Sequence, residues 1–147
     1  MTVSITSYSE LESAAHTFLS TLPQTPKGSA HLYILTGSLG AGKTTFIKSV
    51  ASQLGITDTV VSPTFNLMKV YQTPRSDITH LVHIDAYRLE SKEELKALKL
   101  SEWFSNPHVL IMIEWGEKVE SVLPSFVRTL LFSHNGESHR TISYSPS

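Results

Sequence analysis

The sequence predicts a single-domain α/β fold, a mostly parallel sheet flanked by helices and ending in an antiparallel hairpin. Three observations predict it. Short apolar runs at 32–36, 81–84 and 109–113 alternate with segments whose apolar residues recur at helical spacing, the pattern of strands joined by helical crossovers. The run at 109–113, Val-Leu-Ile-Met-Ile, has no polar residue at all, as expected of a strand covered on both faces. Two strand-like stretches, 126–132 and 141–144, flank Asn135-Gly136, a dipeptide that closes hairpins. At 147 residues the chain accommodates one domain, 1–147, and one core of this size can bury roughly 68–70% of the unfolded surface.

The elements follow in order. Residues 3–6 alternate as a short strand. Ser9 with Glu12 reads as a capping box for a helix whose apolar face is Leu11, Ala14, Ala15, Phe18, Leu19 and Leu22, stopped by Pro23. Residues 23–29 form a surface connection, and 32–36 a buried strand. Phe46, Ile47, Val50, Ala51 and Leu54 mark the buried face of the next helix, which Gly55 terminates. Residues 60–71 hold a turn at Ser62-Pro63 and then a strand; 73–77 is a turn. The strand at 81–84 runs into Asp85. Ser91 and Glu94 cap a short helix reaching Leu98 or Leu100, and the strand at 109–113 runs into Glu114.

Composition narrows the function. A net charge of −1 without a run of Lys or Arg gives free-standing nucleic-acid binding little electrostatic support. The absence of cysteine excludes disulfides, thiolate zinc and iron–sulfur sites. Residues 1–9 lack the basic start and apolar segment of a secretory signal, and no run approaches the ~20 apolar residues that span a bilayer, so the expectation is a cytoplasmic protein with no membrane partner.

Residues 37–44 read Gly-Ser-Leu-Gly-Ala-Gly-Lys-Thr, a full match to G-x-x-x-x-G-K-[ST] between an apolar strand and an amphipathic helix. The chemistry requires these residues. Glycines let the backbone wrap a phosphate chain, the N–H groups of Ser38, Leu39, Gly40, Ala41, Gly42, Lys43, Thr44 and Thr45 face the anion, Lys43 neutralises it and the Thr44 hydroxyl ligates Mg²⁺. A P-loop needs an acidic partner. Asp85 and Glu114 both stand at the C-terminal ends of buried strands, where α/β sheets bind ligands. A charged first loop residue is the alternative for each. Thr64, in Ser62-Pro63-Thr64-Phe65, fits either a γ-phosphate-sensing switch or an ordinary turn. Trp115 fits either a nucleotide contact or a core aromatic. His80, His83 and Asp85 cannot converge on one metal, because His80 lies on the opposite strand face; partly buried histidines are expected.

Together G-S-L-G-A-G-K-T-T at 37–45, S-P-T-F at 62–65, H-I-D-A-Y-R-L at 83–89 and I-E-W at 113–115 resemble the TsaE family, in order over roughly residues 10–145. The resemblance implies a weak ATPase, using ATP and Mg²⁺, that assists threonylcarbamoylation of tRNA adenosine within a complex with TsaD and TsaB. It implies contact with tRNA only through that complex, and that TsaD, not this chain, transfers the group. By position it makes Thr44 and Glu114 the metal ligands, Lys43 the phosphate ligand, Asp85 an acid required for activity, and Trp115 and Arg140 nucleotide neighbours, with Glu10 a nucleotide neighbour from the N-terminal end of the chain. The chain departs from the family at Ser38, where the loop usually carries Asp, and at Lys99, where glycine is common. Lys resists a left-handed turn, so the helix is expected to continue through Lys99.

Three other classes use the same loop. A small-molecule kinase needs an acceptor site and an arginine-rich lid, whereas Arg75, Arg88, Arg128 and Arg140 are scattered. A non-hydrolysing nucleotide-dependent interaction module is suggested by Ser38. A GTPase would need an Asn-Lys-x-Asp segment, which the sequence lacks.

Overall fold

The computed structural model describes residues 2–38, 42–61, 67–87, 89, 91–134 and 139–144. Leu39, Gly40, Ala41, the Ser62-Pro63-Thr64-Phe65 turn and switch candidate, Arg88 and the Asn135-Gly136 turn lie outside the described residues.

The chain runs β1 (Thr2–Ile5), α1 (Tyr8–Ser20), β2 (His31–Gly37), α2 (Lys43–Gln53), β3 (Met68–Gln72), β4 (His80–Asp85), α3 (Lys92–Lys96), α4 (Ser101–Phe104), β5 (Val109–Glu114), β6 (Arg128–His134) and β7 (Arg140–Tyr144). Two short 3₁₀ turns, Gly116–Lys118 and Glu120–Val122, follow β5. The strands form one sheet in the order β1-β7-β6-β2-β5-β4-β3. Its centre, β6-β2-β5-β4, is parallel. Antiparallel pairs extend it at both edges, so the expected β6–β7 hairpin is joined by β1 on β7 and by a β3–β4 hairpin. The sheet is therefore mixed, with its parallel part confined to the strands around the glycine loop.

The central position of β5 explains its composition: all six residues are buried, because α2 packs on one face and α4 on the other. Period-2 alternation divides the core accordingly. Leu81, Leu110, Met112, Tyr33 and Leu35 face α1 and α2, where Phe18, Tyr33, Phe46 and Phe132 form a chain of edge-on ring contacts at 4.9–5.6 Å. Val82, Ile84, Ile111 and Ile113 face the layer of α3, α4 and the 3₁₀ turns.

Two local expectations change. The cap of α1 is Ser7, two residues earlier than Ser9: its Oγ accepts from the Glu10 N–H, while the Glu10 carboxylate accepts from the Thr6 hydroxyl. Ser7-Tyr8-Ser9-Glu10 is itself an S-x-x-E sequence, and choosing it lets the helix start directly behind β1. The helix opened by Ser91 does not continue through Lys99. It ends at Lys96, and Lys99 adopts φ +55, the left-handed turn a glycine takes easily. That turn frees the chain to bury Leu100 at 5% exposure and to begin α4, a four-residue helix without a side-chain cap that the sequence pattern does not announce.

Candidate functional site

Glycine is required at two points beside α2. Gly37 closes β2 at φ +141, and a Cβ there would stand 2.2 Å from the Phe132 carbonyl oxygen of β6. Gly42 takes φ +100 as the N-cap of α2, a conformation that swings the chain from loop to helix. The first bond within α2 runs from the Phe46 N–H to the Gly42 carbonyl, so the N–H groups of Lys43, Thr44 and Thr45 have no helical acceptor.

Lys43 is 5% exposed. Its ammonium donates to the carbonyls of Gly37 (2.8 Å) and Ser38 (3.1 Å) and lies 4.0 Å from the centre of the Trp115 ring. Burial lowers its pKa, while the carboxylates of Glu114, Glu117 and Asp85 pull it back up. Trp115 reaches this position by adopting φ +60, an uncommon conformation for a bulky residue, and Tyr87 packs on it at 5.1 Å.

The acids come from the strand ends. Asp85 and Glu114 are register partners across β4 and β5, and Leu35 aligns with them on β2. Both carboxylates are buried, on the face toward α2. Glu114 is held from both sides. Its Oε1 accepts from the Thr44 hydroxyl at 2.6 Å, and its Oε2 is 2.6 Å from His83 Nε2. Asp85 Oδ1 accepts from the Tyr87 N–H at 3.0 Å, closing the turn after β4. His83 is fully buried rather than partly so, because β4 places it under Glu114 instead of at an edge.

Beside these groups lies a cavity of about 470 Å³. Gly42, Lys43, Thr44, Thr45, Glu114 and Trp115 form its polar end, and Arg140 of β7 lines it as well. The Arg140 stem passes 3.3 Å from the position a Gly42 Cβ would take. Ser38, Asp85 and Glu10 do not line the cavity. The rest of the lining is mainly apolar, from Ile5, Tyr8, Leu11, Phe132 and Ile142 with Thr6 and Ser7 between them, and sequence reasoning misses it. The apolar residues come from β1, α1, β6 and β7: Phe132 is brought to the glycine loop by the pairing of β6 with β2, Ile142 by that of β7 with β6, and Ile5 by that of β1 with β7. The nearest sequence signal is their apolar character in short elements at the two chain ends.

Chemically the site offers an anion cradle at one end and an apolar slot at the other. The Thr44 hydroxyl and the Glu114 carboxylate lie 2.6 Å apart, and hard oxygen ligands of this kind could hold a Mg²⁺ ion. No group of three His, Asp or Glu among the described residues forms a protein-only metal cage.

Comparison with known proteins points one way. The model of the family described as threonylcarbamoyl adenosine biosynthesis protein TsaE matches residues 5–142. The tRNA threonylcarbamoyladenosine biosynthesis protein TsaE of Bacillus subtilis (strain 168) is 39% identical over 110 residues, which is 75% of this chain and 66% of the relative. That of Treponema pallidum (strain Nichols) is 38% identical over 110 residues, 75% of this chain and 78% of the relative. The match to the first of these thus spans about two thirds of its length. A crystal structure of Bacillus subtilis YdiB superposes with a TM-score of 0.72 at 28% identity, covering 98% of this chain and 83% of that one.

Proposed function

Starting from the fact that this chain belongs to the TsaE family, we propose that it is a Mg²⁺-dependent ATPase that assists formation of threonylcarbamoyladenosine in tRNA. In this reading it acts on the turnover of a TsaD–TsaB complex, transfers no group itself and meets tRNA only through that complex. Its setting is the cytoplasm; among the described residues no helix is long and apolar enough to cross a membrane.

The observation that carries the reading is the 2.6 Å hydrogen bond between Thr44 and Glu114, residues 70 positions apart that meet at the mouth of the phosphate loop. In the reaction the N–H groups of Lys43, Thr44 and Thr45 bind the phosphate chain, with the α2 dipole behind them. Lys43 exchanges its two loop carbonyls for phosphate oxygens, a short movement for an ammonium already desolvated beside them. Trp115 covers Lys43 and keeps water from it. The apolar wall holds the base, with Arg140 beside the loop to meet phosphate or ribose. Thr44 and Glu114 hold Mg²⁺, which when bound neutralises charge on the phosphates. Asp85, next to Glu114, adds to the negative field that opposes the lowering of the Lys43 pKa by burial.

The test is ATP hydrolysis by the purified chain alone and with TsaD and TsaB, beside Lys43→Ala and Glu114→Ala. We expect stimulation by the partners. Lys43→Ala should weaken nucleotide binding by about 100-fold, on the order of 3 kcal/mol for removing a charged donor from a desolvated site. Glu114→Ala should bind nucleotide and fail mainly in hydrolysis. Normal hydrolysis by Glu114→Ala in the assembled complex would refute the metal assignment, and binding without stimulated turnover would favour a non-hydrolysing interaction module.

A further inference from the structure

We infer that His83 is a positioning residue: it orients the Glu114 carboxylate, and through it the Thr44 hydroxyl, toward the metal position. The inference rests on the Mg²⁺-nucleotide reading of the site.

The His83 side chain has no exposure, and its one polar contact among the described residues is Nε2 to Glu114 Oε2, 2.6 Å. Its other ring nitrogen, Nδ1, is buried without a hydrogen-bond partner among those residues. This is a costly way to fill a core position. An apolar side chain of similar size would remove the unpartnered Nδ1, but it would take from the buried Glu114 Oε2 the donor that His83 provides. What an apolar residue cannot supply is the donor at Nε2. Because an ionised carboxylate only accepts, the imidazole donates from Nε2 in this contact.

The torsion that turns a carboxylate about its last bond is broad and nearly two-fold, so Glu114 does not fix its own oxygens. Two donors on opposite oxygens do. Thr44 holds Oε1 and His83 holds Oε2, each anchored to a different rigid element, α2 and β4. His83 is itself fixed by pairing with Lys69 on one side and Met112 on the other. The effect passes one bond further. Thr44 donates its proton to Oε1, so its oxygen lone pairs are turned away from Glu114 and are available to a cation. A Glu114 free to rotate would lose that alignment at both oxygens.

The experiment is calorimetric titration of ADP in Mg²⁺ and in EDTA, with thermal melting, for wild type, His83→Leu, His83→Gln and His83→Asn. Gln carries an amide N–H near the Nε2 position, Asn is too short to reach Glu114, and Leu fills the space without a donor. We expect wild type to bind ADP more tightly in Mg²⁺. His83→Leu and His83→Asn should lose about tenfold or more in apparent Mg²⁺ affinity, the usual effect of removing a partner of a metal ligand. Their affinity in EDTA should stay near the wild-type value, and His83→Gln should recover most of the Mg²⁺ effect. His83→Leu should melt below wild type, because the buried Glu114 Oε2 loses its donor. If it does not fold, the contrast between Gln and Asn decides. Wild-type Mg²⁺ affinity in Leu or Asn would overturn the inference, as would a Gln variant that melts normally but stays as defective as Asn. A wild type that binds ADP equally well without Mg²⁺ would instead refute the site reading on which the inference rests.

Discussion

The two faces of the β4–β5 pair are built from the same two strands yet have opposite characters. Toward α3 and α4 the pair presents Val82, Ile84, Ile111 and Ile113, every one of them fully buried. Toward α1 and α2 it presents Leu81, Leu110 and Met112, and then, at the C-terminal ends, His83, Asp85 and Glu114. One face is a packed apolar layer broken only at its N-terminal end, where His80 packs on Trp103 of α4. The other trades apolar contact for three polar side chains where the strands meet the glycine loop. The lesson is a division of labour by strand parity: stability comes from one face and the chemistry from the far end of the other.

The largest expected effect breaks that division if it is wrong. Ile111→Ala removes a fully buried side chain from the middle of the apolar face, and should cost about 2–5 kcal/mol in denaturant unfolding. Its nucleotide affinity, measured below the melting range, should match the wild type. A loss of affinity without loss of stability would show that the two faces are not separable in this way.

How much of this is legible in the sequence follows from the same parity. The strand at 109–113 is readable because a strand covered on both faces is apolar throughout, and the loop because each position of Gly37–Thr44 has a fixed chemical demand. Asp85 and Glu114 can be placed at the strand ends by counting. Their relation to His83 cannot, since a contact between neighbouring parallel strands depends on register, and register is not written in either strand alone. The i, i+2 spacing of His83 and Asp85 is the available signal. The apolar cavity wall is hidden for a similar reason, because Ile5 and Ile142 are joined only by the β1–β7 pairing. Ser7 and Ser9 compete as caps because the stretch offers two overlapping capping sequences, and only the end of β1 decides between them.

A smaller effect separates two residues with the same backbone strain. Trp115 (φ +60) and Lys99 (φ +55) both adopt the left-handed conformation. At Trp115 the turn carries the ring over Lys43, on the site side of the molecule. At Lys99 the exposed side chain has no such task, and the turn only links α3 to α4. Lys99→Gly should therefore stabilise the fold by about 1 kcal/mol, the left-handed penalty less the greater unfolded freedom of glycine. It should leave nucleotide binding unchanged. Destabilisation would mean that Lys99 makes a contact that outweighs its strain.

The smallest effect compares the two ends of β4. Its C-terminal end holds buried carboxylates, whereas the loop before its N-terminal end carries an ion pair in water: Arg75 Nε donates to Asp77 Oδ1 at 2.8 Å, with side chains 37% and 60% exposed. Hydrogen bonds from the Arg75 guanidinium lower the Asp77 pKa from 3.8 to about 2. A carboxylate lowered in the folded state stabilises it above the unfolded value and ceases to do so as pH falls through the folded one. The contribution of the pair is thus complete above pH 3.8 and fades between 3.8 and about 2. Solvent screening limits it to roughly 0.2–1 kcal/mol. Arg75→Ala should lower stability at neutral pH by that amount, and 1 M salt should remove most of the difference. The difference from wild type should also close on acidification across that window. A larger, salt-resistant loss would place the pair among the buried charges and erase the contrast between the two ends of the strand.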